Sequence, residues 1–193
     1  MASQPTFAQL VSLACHDLRT PLATASGFAH TLARLDGLEA PADRYVGMIG
    51  AASDQMAELL DLLGVAARIE VGRFEPQLRE ADSRELAEAA AGRLGDEARV
   101  EGEGTAVVID PNWAETALTA LGGCVRRHGA LEQVRYSVAG RQVSIGPVRN
   151  GVGPIALGDD LKDFGAAVGV RLLRAMDADV DVAGEELTVR LPE

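Results

Sequence analysis

Residues 7–35 read FAQLVSLACHDLRTPLATASGFAHTLARL and carry a regular apolar pattern. Apolar or small side chains recur at alternating steps of three and four, at Val11, Ala14, Leu18, Pro21, Ala25, Phe28, Leu32 and Leu35. This spacing is the heptad seam of a helix that packs lengthwise against other helices. The stretch therefore predicts a long amphipathic helix.

A second heptad series follows a short break at Asp36 and Gly37, with Pro41 suited to the first turn of a helix. Its members are Tyr45, Ile49, Ala52, Met56, Leu59, Leu63 and Ala66. The two series predict an antiparallel helical hairpin. Because a lone hairpin buries each helix on one side only, a seam on both helices predicts a homodimer that forms a four-helix bundle.

Beyond Gly72 the helical periodicity gives way to short segments of strand and helix. Strands are predicted at 77–79, 99–101, 106–109, 133–138, 142–145, 180–182 and 187–191, and helices at 83–94, 112–127 and 163–176. Ser83 is expected to cap the first of these helices. The order predicts an α+β fold, with a helical hairpin over residues 1–70 and a compact α/β sandwich over residues 71–193.

Composition limits the class of protein. The 193 residues, 47% of them hydrophobic, suffice for a real core. No apolar run approaches the roughly 18 residues that a membrane helix needs, and the first ten residues lack the features of a signal peptide. We therefore expect a cytoplasmic protein with no membrane partner.

Charge and cysteine content narrow the partners. A formal net charge of −11 argues against nucleic acid or anionic lipid, because both require a cationic surface. The two cysteines, Cys15 and Cys124, form no CxxC motif and no Cys/His cluster at metal-ligand spacing. Neither a disulfide framework nor a metal site is expected.

The segment HDLRTPL, residues 16–22, lies within the first predicted helix. If Val11 and Leu18 occupy a positions, His16 falls at position f and faces solvent, away from the seam. A neutral imidazole keeps a nitrogen lone pair for in-line attack on phosphorus. Asp17 could accept a hydrogen bond from the other ring nitrogen, and Thr20 lies one helical turn beyond His16 on the same side.

HDLRTPL resembles, at every position, the phosphoacceptor box in the dimerisation and histidine-phosphotransfer domain of bacterial sensor histidine kinases. The resemblance implies that His16 accepts the phosphoryl group, that Asp17 orients the imidazole and acts as base, and that Thr20 positions water for dephosphorylating a partner. Three further residues of the box are expected to contact that partner, namely Arg19, Pro21 and Leu22.

Residues 73–193 resemble, more weakly, the ATP-binding domain of the same kinases, with its contact residues replaced. No asparagine follows Asn112 in the helix where that family holds magnesium, and Cys124 or Ala120 stands in its place. Arg149 replaces the aspartate that accepts from adenine, although arginine has only donors. In the expected phosphate loop, Phe164 and Ala166 occupy glycine positions, and residues 155–162 leave little room for an ATP lid.

The whole pattern resembles the dimeric histidine phosphotransferases of bacterial phosphorelays. It implies transfer of phosphoryl groups between receiver-domain aspartates through His16, without ATP, with no cofactor bound by this chain and with Mg²⁺ supplied by the receiver. Response-regulator receivers and an upstream histidine kinase are the implied partners. Two alternatives stay open, an active atypical histidine kinase and a non-catalytic pseudokinase module that binds a kinase or response regulator.

Overall fold

In the computed structural model, which describes residues 7–34 and 40–193, the chain divides into two units, Met1–Arg73 and Phe74–Glu193. The first unit is helical, and the second combines strands with helices. The predicted α+β fold, a helical hairpin followed by a domain of sheet and helices, is confirmed. Within the described residues, no helix has the length and apolarity needed to cross a membrane.

Helices α1 (Phe7–Ala33) and α2 (Ala40–Glu70) form the hairpin of the first unit. The helices run antiparallel, because side-chain contacts join Arg19 to Asp61 and Ser26 to Asp54, so that residue numbers rise on one helix as they fall on the other. Helix α1 continues through Pro21 without ending.

The face that joins α1 to α2 is built from small residues. Cys15 and Ala29 of α1 are buried, as are Gly50 and Ser53 of α2. On α2 the covered positions include 46, 50, 53, 57, 60, 64 and 67, each one residue beyond a member of the predicted seam. Leu62 and Val65 are also buried. Small side chains let two helices approach closely, which explains why this face, and not the heptad seam, joins α1 to α2.

The predicted heptad seam is therefore not the contact face within the hairpin. Its large members remain exposed, namely Leu18, Phe28, Leu32, Tyr45, Ile49, Met56, Leu59 and Leu63. At about 100° per residue, neighbouring residues lie on adjacent sides of a helix, so the hairpin has a small-residue face inside and an apolar face beside it.

The second unit contains a five-stranded sheet, a two-stranded sheet and four helices. The strands are β1 (Arg79–Asp82), β2 (Ala98–Gly104), β3 (Ala106–Ile109), β4 (Val134–Gly140), β5 (Gln142–Gly146), β6 (Asp179–Ala183) and β7 (Glu186–Arg190), and the helices are α3 (Ser83–Leu94), α4 (Pro111–Gly129), α5 (Val152–Ala156) and α6 (Phe164–Arg174). The large sheet has the order β2-β4-β5-β7-β6, in which β2 and β4 are parallel and the other neighbours antiparallel. Strands β1 and β3 pair antiparallel.

Burial alternates along β4, which indicates that helices cover one face of the large sheet. Helices α3, α4 and α6 lie against it, and α4 packs against both of the other two helices. Tyr136 of β4 is fully buried, and its hydroxyl donates a 2.9 Å hydrogen bond to the Leu118 carbonyl of α4. Burial raises the pKa of Tyr136, so this hydroxyl stays a donor. The bond ties α4 to the sheet.

Helix starts in this unit depend on aspartates. Asp82, rather than the predicted Ser83, caps α3 by accepting from the backbone N–H groups of Arg84 and Glu85. Ser83 is buried, and its hydroxyl instead donates to the Gly140 carbonyl and accepts from the Thr105 N–H. The prediction was wrong because the Ser83 hydroxyl is already used by the backbone groups of Gly140 and Thr105 and is not available to cap the helix.

The other differences from the sequence prediction in the second unit are shifted element bounds and two short elements that were missed. The strand predicted at 77–79 lies at Arg79–Asp82, and the short helix α5 and the 3₁₀ turn Gly95–Glu97 were not predicted. Asp110 also links elements, because it caps α4 and accepts from the Gln77 N–H. The segment before β1 is thereby held against the start of α4.

Gly122 of α4 gives a test of the contact between α4 and the sheet. A Cβ added there would overlap the Tyr136 hydroxyl, whereas a Cβ added at the exposed Gly92 of α3 has no atom within 4 Å. We expect Gly122→Ala to lower the free energy of unfolding by about 1–3 kcal/mol through overpacking. Gly92→Ala should raise it by up to about 1 kcal/mol through helix propensity. Urea unfolding followed by circular dichroism measures both, and equal stabilities would contradict the packing described.

Candidate functional site

His16 lies on the water-facing side of α1. It is exposed, as its heptad position predicts, although Cys15 beside it is buried against α2. At about 100° per residue, the His16 side chain points about 160° away from Leu18 of the exposed apolar seam. The imidazole therefore stays open to a partner even when both the hairpin face and the seam are covered.

Thr20 and Arg19 follow His16 along the same helix. Thr20 is exposed, one turn beyond the imidazole. Nε and Nη2 of Arg19 donate to Oδ1 of Asp61 on α2, at 3.1 and 2.7 Å. Because both side chains are largely exposed, this ion pair contributes at most about 1 kcal/mol to stability. Its effect is to fix the register of the two helices beside His16.

The other predicted site residues differ in exposure. Pro21 is exposed, whereas Leu22 is half-buried at the heptad position shared by the buried Cys15 and Ala29. Part of the Leu22 side chain therefore packs inside the hairpin, and only the rest is accessible to a partner. Asp17 belongs to α1, but its side chain lies outside what the structure describes, so its role stays a prediction.

A second polar group on the hairpin surrounds His30. The Ser26 hydroxyl donates to Oδ1 of Asp54 at 3.1 Å and lies 3.2 Å from Nδ1 of His30. Nε2 of His30 lies 3.6 Å from Oδ2 of Asp54. His30 thus takes part in the contact between α1 and α2. The HDLRTPL residues lie nearer the N-terminal end of α1 than this group.

The second unit brings together three side chains of different chemistry. Cys124 and His128 lie one turn apart on α4, and Asp163 immediately precedes α6. One ligand atom from each of the three lies within 4.8 Å of the others. The sequence analysis found no Cys/His cluster at metal-ligand spacing, whereas the fold brings these three side chains together. The expected absence of a metal site stays a prediction. A search for closely spaced cysteines misses a Cys-x₃-His pair, although an α-helix places these two side chains on the same side.

Asp163 is the centre of this cluster. Oδ2 accepts from Nη2 of Arg127 at 2.7 Å and lies 3.2 Å from Nε2 of His128, and Oδ1 accepts from the N–H of Ala166 at 3.0 Å. Burial alone would raise the pKa of Asp163, but the Ala166 and Arg127 hydrogen bonds and the charges of Arg127 and His128 hold it below its usual range. The carboxylate therefore stays ionised and caps α6.

The pKa of the Cys124 thiol is raised, in contrast to that of Asp163. Burial, followed by the charge of nearby Asp163, raises its pKa to about 12. The thiol also forms a hydrogen bond with Asp163. It remains protonated near neutral pH unless a positive charge replaces its proton.

The positions expected to contact a nucleotide are occupied in other ways. Cys124 and Asp163, from the expected magnesium and phosphate segments, contact each other, and Ala166 is buried in α6. Arg149 is exposed in the turn before α5, and Phe164 is exposed at the start of α6. The Gly151 N-terminal to α5 adopts a φ of 82°, which fits an ordinary turn.

Comparison with known protein families gives a match to the helical unit. Residues 8–72 match the family model of the His Kinase A (phospho-acceptor) domain. No curated protein matches the chain in sequence. The matched segment contains His16 and both helices of the hairpin.

Solved structures extend the likeness to the fold of both units. Full-length ShkA, solved in complex with AMPPNP, is 20% identical with a TM-score of 0.68, over 97% of this chain and 46% of ShkA. The chain therefore spans less than half of ShkA. The histidine kinase AdeS of Acinetobacter baumannii is 18% identical with a TM-score of 0.58, over 92% of this chain and 97% of that one. At these identities the likeness shows the fold alone.

The family match covers the helical unit, and the likeness to AdeS covers the fold of both units. Residues 8–72 thus match a His Kinase A (phospho-acceptor) domain, with His16 exposed on its first helix.

Proposed function

We propose that this chain is a histidine phosphotransferase of a two-component phosphorelay, moving phosphoryl groups between receiver-domain aspartates through phospho-His16 without binding ATP. The observation that carries the proposal is the exposed His16 imidazole in HDLRTPL, within a matched phosphoacceptor domain. Exposure is required because the phosphoryl donor and acceptor are both side chains of other proteins.

The transfer step follows from the chemistry of the groups. A receiver docks on α1, and the His16 nitrogen lone pair attacks the phosphorus of its aspartyl phosphate. The P–N bond forms as the P–O bond to the aspartate breaks, and the electron pair stays on the carboxylate. Mg²⁺ held by the receiver neutralises the charge on the phosphoryl oxygens, so this chain supplies no cofactor to the step. The reverse reaction loads a second receiver.

Neighbouring residues assist this step. Asp17 orients the imidazole and stabilises the cation that forms on it. Arg19 and Pro21 offer the receiver an exposed surface beside His16, with Leu22 contributing its uncovered part. The Arg19 ion pair with Asp61 keeps this surface in register with α2.

The second unit supports transfer without ATP. Cys124 or Ala120 stands where the magnesium ligand is expected. Mg²⁺ prefers oxygen donors, which neither a buried thiol nor a methyl group supplies. Asp163 in the expected phosphate segment already pairs with Arg127. Arg149 lacks an acceptor for the adenine amino group. The unit then serves as scaffold or docking surface.

The exposed apolar seam supports a homodimer. Large apolar side chains rarely line one side of an isolated hairpin, and here they follow α1 and α2 in heptad spacing. A second copy would cover them and complete a four-helix bundle, leaving His16 outside. The other partners are response-regulator receivers and an upstream histidine kinase, which fits an acidic chain that recognises proteins rather than nucleic acid.

Phosphoryl transfer from receivers is the direct test. Receiver domains from the same genome, phosphorylated with labelled acetyl phosphate, should transfer acid-labile label to the wild type. His16→Ala should accept none, whereas His30→Ala, which changes the other exposed histidine of α1, should accept label as the wild type does. Gel autoradiography with and without acid treatment measures the result.

Three outcomes would count against the proposal. Label persisting on His16→Ala would place the phosphoacceptor elsewhere. Self-labelling by ATP would select an active histidine kinase instead. Receiver binding that is indifferent to His16→Ala, with no phosphohistidine detected on the wild type, would select a non-catalytic pseudokinase module.

The dimer is tested on the seam. Phe28→Glu introduces a charge into the proposed interface from each copy, and we expect the dissociation constant to rise by at least about tenfold, equivalent to about 1.4 kcal/mol. Ala23→Glu places the same charge on the exposed side of α1 that carries His16 and should leave the constant unchanged. Sedimentation equilibrium measures both. An unchanged constant for Phe28→Glu would remove the seam from the interface.

Dephosphorylation of the receiver is a second candidate activity, favoured by the exposed Thr20 one turn beyond His16. If Thr20 positions the attacking water, Thr20→Ala should slow receiver dephosphorylation by about a hundredfold, the scale of losing one such group. Transfer to His16 should be little affected. Rapid-quench rates for both reactions separate the two, and parallel losses would indicate that Thr20 acts only in docking.

A further inference from the structure

We infer that Cys124, His128 and Asp163 form a zinc-binding site between α4 and the start of α6. The three side chains supply a sulfur, a nitrogen and an oxygen, and their ligand atoms lie within 4.8 Å of one another. Two ligands come from one helix at a spacing of four residues, which places both on the same side. The third comes from a distant part of the chain. The inference is independent of the function proposed for His16.

Distances in the cluster are close to those of a zinc tetrahedron. With zinc bonds of about 2.0–2.3 Å, neighbouring ligand atoms lie about 3.3–3.6 Å apart. Nε2 of His128 lies 3.2 Å from Oδ2 of Asp163, near one edge of that tetrahedron. The Cys124 sulfur lies within 4.8 Å of both atoms, so small movements of the side chains complete the set of ligands.

Donor chemistry favours zinc over magnesium or calcium. Thiolate and imidazole are preferred ligands of Zn²⁺, whereas Mg²⁺ and Ca²⁺ prefer oxygen. On binding, Zn²⁺ displaces the Cys124 proton to water, and the thiolate, the neutral imidazole and the carboxylate each donate an electron pair. The two negative charges balance the ion, which removes the cost of a buried thiolate.

The cluster is accessible to water from one side, and the arginine that competes with a metal ion for Asp163 can move away. The Cys124 and Asp163 side chains are buried, whereas the His128 side chain is 28% exposed and provides access from water. Arg127 occupies Oδ2 of Asp163, but its side chain is 54% exposed and can turn into solvent. Oδ1 keeps its hydrogen bond to the Ala166 N–H, so α6 remains capped when Oδ2 binds the ion.

A zinc ion at this position would hold α4 against the first turn of α6. These are the two helices in which the sequence resembles magnesium-binding and phosphate-binding segments of an ATP site. The ion would replace a bound nucleotide as the link between them. Because the three ligands come together only in the folded state, zinc binding adds to the folding free energy, and the second unit should become more stable when loaded.

Metal binding is tested on the full chain after chelator treatment. Titration with Zn²⁺ against a chromophoric chelator should show one ion per chain, and Co²⁺ should give a thiolate-to-cobalt absorption band. Cys124→Ser and His128→Gln should each weaken zinc binding by more than about a hundredfold, beyond the 10–100-fold cost of losing a mere supporting residue. Arg127→Ala should strengthen it, because the guanidinium no longer competes for Asp163.

Matched controls identify the site. Cys15→Ser, His30→Gln and His16→Ala change the other cysteine and the other histidines, and should leave zinc affinity unchanged. Thermal unfolding of His128→Gln without metal checks that this half-exposed substitution preserves the fold, and zinc should raise the melting temperature of the wild type but not of this variant. Absence of one-to-one binding, a missing thiolate band, or unaltered affinity in Cys124→Ser and His128→Gln would each overturn the inference, leaving Asp163 as the centre of a metal-free hydrogen-bonded cluster.

Discussion

Close contact between α1 and α2 through small side chains is the constraint on which the helical unit depends. Cys15, Ala29, Gly50 and Ser53 allow the two helices to approach, and this choice of inner face fixes what the other sides present. The large apolar residues then lie on an adjacent side, and His16 lies on a third. The choice of inner face thus separates the exposed apolar seam from the side of α1 that carries His16.

Aspartates have a comparable role in the second unit. Asp82, Asp110 and Asp163 each accept backbone N–H groups at the start of a helix, and the last two also bind groups distant in sequence. Asp163 links the start of α6 to Arg127 and His128 of α4. The helices of this unit are thus tied to distant parts of the chain by their own side chains.

Much of the fold could be predicted because it follows from local patterns. Heptad spacing identified both helices of the hairpin, and alternation identified the strands of the large sheet within a few residues. The exposure of His16 followed from its place in the heptad. The cap of α3 was assigned to Ser83 instead of Asp82, because nothing local reveals that the Ser83 hydroxyl bonds to backbone groups of β4 and the Thr105 segment.

The sequence by itself determined the two helices, the HDLRTPL segment and the position of His16 on the polar side of α1, because helical periodicity is a property of neighbouring residues. It also supplied the candidate chemistry, since HDLRTPL is contiguous. Only the tertiary structure decided that small residues, not the heptad seam, join α1 to α2. It alone brought Asp163 to Cys124 and His128, 39 and 35 positions apart along the chain. Such contacts depend on how whole helices pack, and no local pattern encodes that geometry.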